Sequence, residues 1–158
     1  GAIAITVAKE ESRVKMHATD ISEEALVTAR QNAKNNEVDI DFTAGDMLQP
    51  LLDAKRHLDV LISNPPYIPQ DEQMETSVVD FEPHVALFGG EDGLKFYRMI
   101  FKDCKKVLNE KAFMAFEMGW DQRERMSNLV EEMLPDARYE ILKDMNGKDR
   151  MLFVYFNC

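Results

Sequence analysis

Asn64-Pro65-Pro66-Tyr67 sets a side-chain amide, two stiff main-chain carbonyls and a phenol ring in consecutive positions. The tetrapeptide directly follows the apolar run Leu58-Asp59-Val60-Leu61-Ile62-Ser63. A short, nearly continuous apolar run with β-branched members reads as a buried strand, in keeping with a parallel sheet. Proline has a fixed φ and no N–H to give a ladder, so the Pro-Pro pair ends that strand in a rigid turn. In open α/β sheets the carboxyl end of a strand is where ligands bind. There Asn64 Oδ1 and the Pro65 carbonyl can accept two N–H bonds from a planar amide or aromatic amine. Pro66 stiffens the cradle and Tyr67 covers one face. The chemistry indicated is transfer of a group onto a planar nitrogen.

Two further positions fit that arrangement. Residues 14–19 read as a strand leading to Asp20, and a helix signal follows, with Ser22 as N-cap and Glu23 and Glu24 in the first turn. A carboxylate at a strand's carboxyl end offers two acceptor oxygens to the two hydroxyls of a ribose. Residues 38–43 read as the next strand and lead into Gly45-Asp46-Met47. Asp46 can accept from an exocyclic amine and Met47 can lie against a purine face. Taken singly, residues such as Asp20 and Asp46 are more often helix caps or solvated loop residues than ligands. Three such positions at the ends of successive strands make a nucleotide-dependent transferase the stronger reading.

The rest of the chain must hold these strand ends in place. The expected elements are a helix over 1–11 opening on Gly1, strand 14–19, helix 22–35, strand 38–43 and strand 58–63. A Pro- and acid-rich loop over 65–93 is next, of a length usual for functional or disordered loops. Then come helix 92–108, strand 112–116, helix 121–134 and strands 138–142 and 151–156. The helix over 92–108 carries Leu94, Tyr97, Phe101, Cys104 and Leu108 on one face, which is a core stripe. Asn146-Gly147 joins the last two strands as an antiparallel hairpin. The fold class is α/β, a Rossmann-like, mostly parallel sheet with an antiparallel C-terminal hairpin, and all 158 residues are expected to form one domain.

The chain carries 29 acidic against 19 basic residues, a formal net charge of −10. Nucleic-acid binding draws on a surplus of Lys and Arg, so direct contact with a polyanion is not expected. A protein or small-molecule substrate is preferred. No apolar run approaches the roughly 20 residues that span a bilayer, so no membrane association is expected. Cys104 and Cys158 have no metal-ligand spacing, and His17, His57 and His84 are scattered, so no metal site is expected. A reducing cytoplasm is the expected location.

With these motifs in view, the chain resembles the HemK family of S-adenosylmethionine-dependent protein-(glutamine-N5) methyltransferases, which modify peptide chain release factors. The resemblance is carried by Ala18-Thr19-Asp20-Ile21-Ser22, Gly45-Asp46, Ile62 through Pro69, Phe81-Glu82-Pro83, Ala86-Leu87, Gly89-Gly90-Glu91-Asp92-Gly93-Leu94, Tyr97-Arg98 and Gly147-Lys148-Asp149-Arg150. It implies a class I methyltransferase sheet, with S-adenosyl-L-methionine as cofactor and a release factor as protein partner. By the same resemblance, Gly1, Asp20, Asp46, Met47 and Asn64 contact the cofactor. Asn64, Pro65, Pro66 and Tyr67 cradle the glutamine amide, with Asn64, Pro65 and Tyr67 acting in catalysis. Gly1 corresponds to the last glycine of the family's cofactor loop. The family's first strand, the rest of that loop and its N-terminal helical domain are therefore expected to be missing from this chain, leaving it weak in cofactor binding. Two other functions fit parts of the pattern. An adenine amino methyltransferase shares the tetrapeptide but calls for a basic groove, and a non-catalytic protein-binding module would keep only the sheet.

Overall fold

In the computed structural model, residues 1–69 and 89–158 are described. The Pro- and acid-rich stretch over 70–88, with the Phe81-Glu82-Pro83 and Ala86-Leu87 motifs, lies outside the described residues. By its internal contacts the chain divides into two units, Gly1–Arg56 and His57–Cys158.

The first unit is built on two alternations of helix and strand: α1 (Ala2–Glu10), β1 (Met16–Asp20), α2 (Glu23–Asn35) and β2 (Ile40–Ala44). A short helix α3 (Gln49–Asp53) closes it. β1 and β2 pair in parallel, in register from Met16 opposite Ile40 to Asp20 opposite Ala44. Both carboxyl ends therefore emerge at one edge. Ser22 caps α2 as expected, its hydroxyl accepting from the Ala25 N–H at 3.1 Å, while Glu23 and Glu24 favour the positive end of the helix dipole. Leu26, Ala29 and Ala33 form the buried stripe of α2. The sequence reading places no helix at α3. There Pro50 sits in the first turn, where a missing N–H costs nothing.

The second unit is a four-stranded sheet in the order β3 (Leu58–Ser63), β4 (Leu108–Glu117), β6 (Asp149–Phe156), β5 (Arg138–Lys143). β3 runs parallel to β4, and β6 is antiparallel to both β4 and β5. The hairpin turns at Gly147 with φ +75°, which glycine adopts without cost. Helices α4 (Lys95–Val107) and α5 (Arg123–Met133) complete the unit. Leu61, Met114, Val154, Phe116 and Leu152 line one sheet face and are buried. Phe116 meets Tyr97 and Phe101 of α4 edge-on, with ring centroids 5.8 and 5.7 Å apart. Such pairs add about 0.5–1.5 kcal/mol beyond their buried area.

Element boundaries shift where local geometry overrides pattern. The helix expected from 92 begins at Lys95, because Gly93 adopts φ +74° and Asp92 accepts from the Leu94 N–H at 3.0 Å. The strand expected over 112–116 runs from Leu108 to Glu117, recruiting the end of the helical stripe into the sheet.

Candidate active site

At the β1/β2 edge, the Gly45 N–H donates to the Asp20 carbonyl at 2.9 Å, tying the two strand ends together. Gly45 has no room for a side chain: a Cβ would collide with the Pro50 ring, and its φ of +155° disfavours one as well. The next turn is strained, for Met47 holds φ +44°. A residue with a Cβ in the left-handed region costs roughly 1–2 kcal/mol. Thr19 offsets part of that by donating its hydroxyl to the Met47 carbonyl at 3.3 Å. Asp20 and Asp46 are exposed and Met47 is half-buried. One Asp20 carboxylate oxygen accepts from the Ser22 N–H at 2.9 Å, so this side chain also shapes the entry to α2. Gly1 caps α1 and lies so close to α2 that a Cβ there would come within 2.8 Å of Ala29 Cβ. Asp20, Gly45, Asp46 and Met47 thus gather at one strand edge. Two exposed carboxylates, as acceptors, beside a half-buried thioether form a set that fits a nucleoside's hydroxyls, amine and ring face.

In the second unit, Asn64 is exposed at the end of β3, Pro65 is buried, and Pro66 and Tyr67 are half-buried. The Tyr67 phenol donates to Glu117 Oε1 at 3.1 Å, and Arg150 Nη1 donates to the phenol oxygen at 3.4 Å. Burial, then the nearby Glu117 carboxylate, raises the Tyr67 pKa above the usual phenol value. The ring stays neutral throughout the physiological range. Beside it, Tyr97 donates to the Glu117 carbonyl at 2.6 Å. Burial likewise raises its pKa.

The segment 89–93 returns to this turn from the far side of the undescribed stretch. Its Gly89 N–H donates to the Ile68 carbonyl at 2.8 Å. A Cβ at Gly89 would stand 2.6 Å from the Pro66 carbonyl oxygen, and one at Gly93 would collide with the Tyr67 carbonyl oxygen. The glycines of the Gly-Gly-Glu-Asp-Gly motif therefore allow main chain to lie directly on main chain. Asp92 locks the segment by a two-pronged pair with Arg98, at 2.9 and 2.6 Å. That guanidinium holds the Asp92 carboxyl down to a pKa of about 2. Neither Glu117 nor Gln122 stands out by sequence reasoning as a partner of the turn. Glu117 ends an apolar strand and Gln122 is the N-cap of the next helix, positions where a polar side chain ordinarily faces solvent.

Cys104 is buried in α4, and burial pushes its thiol up to about 11, so it is not poised as a nucleophile. Among the described residues, no group of three or more His, Cys, Asp or Glu side chains could hold a metal ion. No helix there is long and apolar enough to cross a membrane.

Strand ends bearing acidic residues in one unit, and a proline-stiffened amide turn in the other, are carried on an α/β fold of the methyltransferase kind. The whole-chain likeness to a solved methyltransferase from Pyrococcus furiosus shows the same fold, with a TM-score of 0.71 at 21% identity over 98% of this chain and 68% of that one. More particularly, the chain belongs to the methyltransferase small domain family, whose model matches residues 1–81. It is homologous to release factor glutamine methyltransferases: 43% identical over 155 residues to that of Bacillus anthracis and 42% identical over 154 residues to that of Bacillus subtilis. These alignments take in 97% and 96% of this chain but 55% and 54% of the relatives, so the chain spans about half their length.

Proposed function

We propose that the protein transfers a methyl group from S-adenosyl-L-methionine to the side-chain amide nitrogen of a glutamine in a peptide chain release factor. The single observation that carries this reading is the 64–67 turn. It puts an exposed Asn64 amide at the carboxyl end of a parallel strand, followed by a buried proline and a tyrosine anchored through its phenol. Identity of about 40% to release factor glutamine methyltransferases supports the substrate. All 158 residues are taken to act as one methyltransferase domain, a reading supported by a family match that runs through the junction of the two units.

Asp20 would hold the ribose hydroxyls, Asp46 the adenine amine and Met47 the ring face, with Gly1 near the methionyl end and Asn64 beside the reactive methyl. When bound, the cofactor supplies an already activated sulfonium methyl. An amide nitrogen is a poor nucleophile because its lone pair is delocalised into the carbonyl. Asn64 Oδ1 and the Pro65 carbonyl accept from the substrate NH₂ and so make the nitrogen more electron-rich. Pro66 and Tyr67 hold the amide plane so that the nitrogen faces the methyl in line. Orientation and preorganised dipoles of this kind can supply roughly 7–11 kcal/mol of barrier lowering at best. No side chain need act as a base, since the proton can leave after transfer.

The test is a methylation assay of the protein on release factor beside an adenine-containing oligonucleotide, with the modified atom located by mass spectrometry. Methyl incorporation at a glutamine amide is expected, and incorporation into the oligonucleotide alone would overturn the reading. The net charge of −10 argues for the first outcome.

A further inference from the structure

Gln122 is 1% exposed, the one polar side chain among the described residues that is fully buried. A buried amide must have both ends satisfied, and the partners it finds show what it fastens. Its Oε1 accepts from the Gly119 N–H at 2.9 Å. Its Nε2 donates to the Tyr67 carbonyl at 2.9 Å and reaches the Gly93 carbonyl at 3.5 Å. One side chain thus joins three separate stretches: the turn after β3, the 89–93 segment, and the turn between β4 and α5.

The turn has need of an external fastener. Pro65 and Pro66 have no N–H to give, so the 64–67 main chain cannot anchor itself through its own ladder. The carbonyl of Tyr67 is gripped from outside by Gln122, next to the Ile68 carbonyl that Gly89 holds. Gly93 makes room for the grip, since a Cβ there would lie 2.5 Å from Gln122 Nε2. The phenol of the same tyrosine is held separately, by Glu117.

We propose that Gln122 is a positioning residue for amide methyl transfer: by holding the Tyr67 carbonyl against the 89–93 segment, it sets the direction of the Asn64 and Pro65 acceptors. The proposal rests on the methyltransferase reading above. It does not require Gln122 to touch substrate or cofactor.

Two variants and two readouts test it. Gln122→Glu keeps the length and the acceptor for Gly119 but, once ionised, cannot donate to Tyr67. Gln122→Met keeps the approximate shape and loses all three contacts, and it serves as well should a buried carboxylate prevent folding. Steady-state methylation should show kcat lower by about tenfold or more, with KM for cofactor and release factor within about threefold, because misplacement by a fraction of an ångström acts on the aligned state. Amide hydrogen exchange, which needs no substrate, should show faster exchange at Gly89 with the Met114 and Val154 amides unchanged. Faster Gly89 exchange in a protein whose wild type methylates no release factor would sink the functional reading while the clamp stands. Unchanged Gly89 exchange, or a kcat within about twofold of wild type in a folded variant, would overturn the proposal itself.

Discussion

Asn64 and Asp20 are exposed residues whose types alone separate a chemical role from a structural one. Asn64 is exposed, so an alanine there should cost little stability, within about 0.5 kcal/mol as for an ordinary surface position. Its loss should nonetheless reduce methyl transfer by roughly 100-fold or more, the scale seen when one preorganised hydrogen-bonding group is removed from a reacting centre. Comparing the rate and the thermal midpoint of Asn64→Ala with wild type separates the two. An active variant would show that the amide is merely the end of a strand. Asp20 serves two masters, since it also receives the Ser22 N–H at the start of α2. Asp20→Asn keeps an oxygen for that backbone contact while dropping the charge. Charge-assisted bonds are worth roughly 1.5–3 kcal/mol each, so cofactor affinity should fall about tenfold or more with α2 intact. Calorimetric titration and far-UV circular dichroism read the two effects independently, and unchanged affinity would leave Asp20 as a helix-start residue only.

At the scale of elements, the 89–93 segment is the clearest case of order imposed by a few contacts. The Asp92 carboxyl, held down to about 2 by the Arg98 guanidinium, sits below its ordinary 3.8. A depressed carboxyl pKa contributes stability that is fully present above 3.8 and is lost as pH falls toward 2. The pair is partly solvated, so its effect should be local. Following the Leu94 amide by NMR through an acid titration should show loosening with a midpoint near 2, and Asp92→Asn should show it already at neutral pH. A midpoint near 4 would mean the pair contributes nothing. This segment also marks the limit of what pattern reading reveals. The end of β3 and the N-cap of α2 were legible because a continuous apolar run, Pro-Pro and Ser22 act within a few residues. The antiparallel hairpin was legible from Asn146-Gly147 for the same reason. By contrast, the Gly89 and Gly93 contacts link residues more than twenty positions apart in sequence, and burial of Gln122 arises only when three turns meet. No local signal encodes such meetings. Helix α3 escaped because a five-residue helix carries too little periodicity to register.

Across the whole chain, the pairing of strands leaves two edges that matter for behaviour in solution. Among the described residues β1 pairs only with β2, and β3 only with β4. On β3, Val60 and Ile62 are 40% and 43% exposed, so the open edge adjoins an apolar face. Unpaired N–H and C=O groups beside such a face are a template for another strand. Charge works against this, because a net −10 makes every copy repel every other, but that repulsion fades once salt shortens the screening length to about 10 Å or less. A polypeptide of just these 158 residues should therefore be largely monomeric at low ionic strength and should associate as salt is raised. Lysines in place of Val60 and Ile62 should block that association by guarding the edge. Light scattering across a salt series, on wild type and on the Val60→Lys/Ile62→Lys variant, measures both effects. Association that weakens with salt, or that the two lysines leave untouched, would show that the β3 edge is already covered.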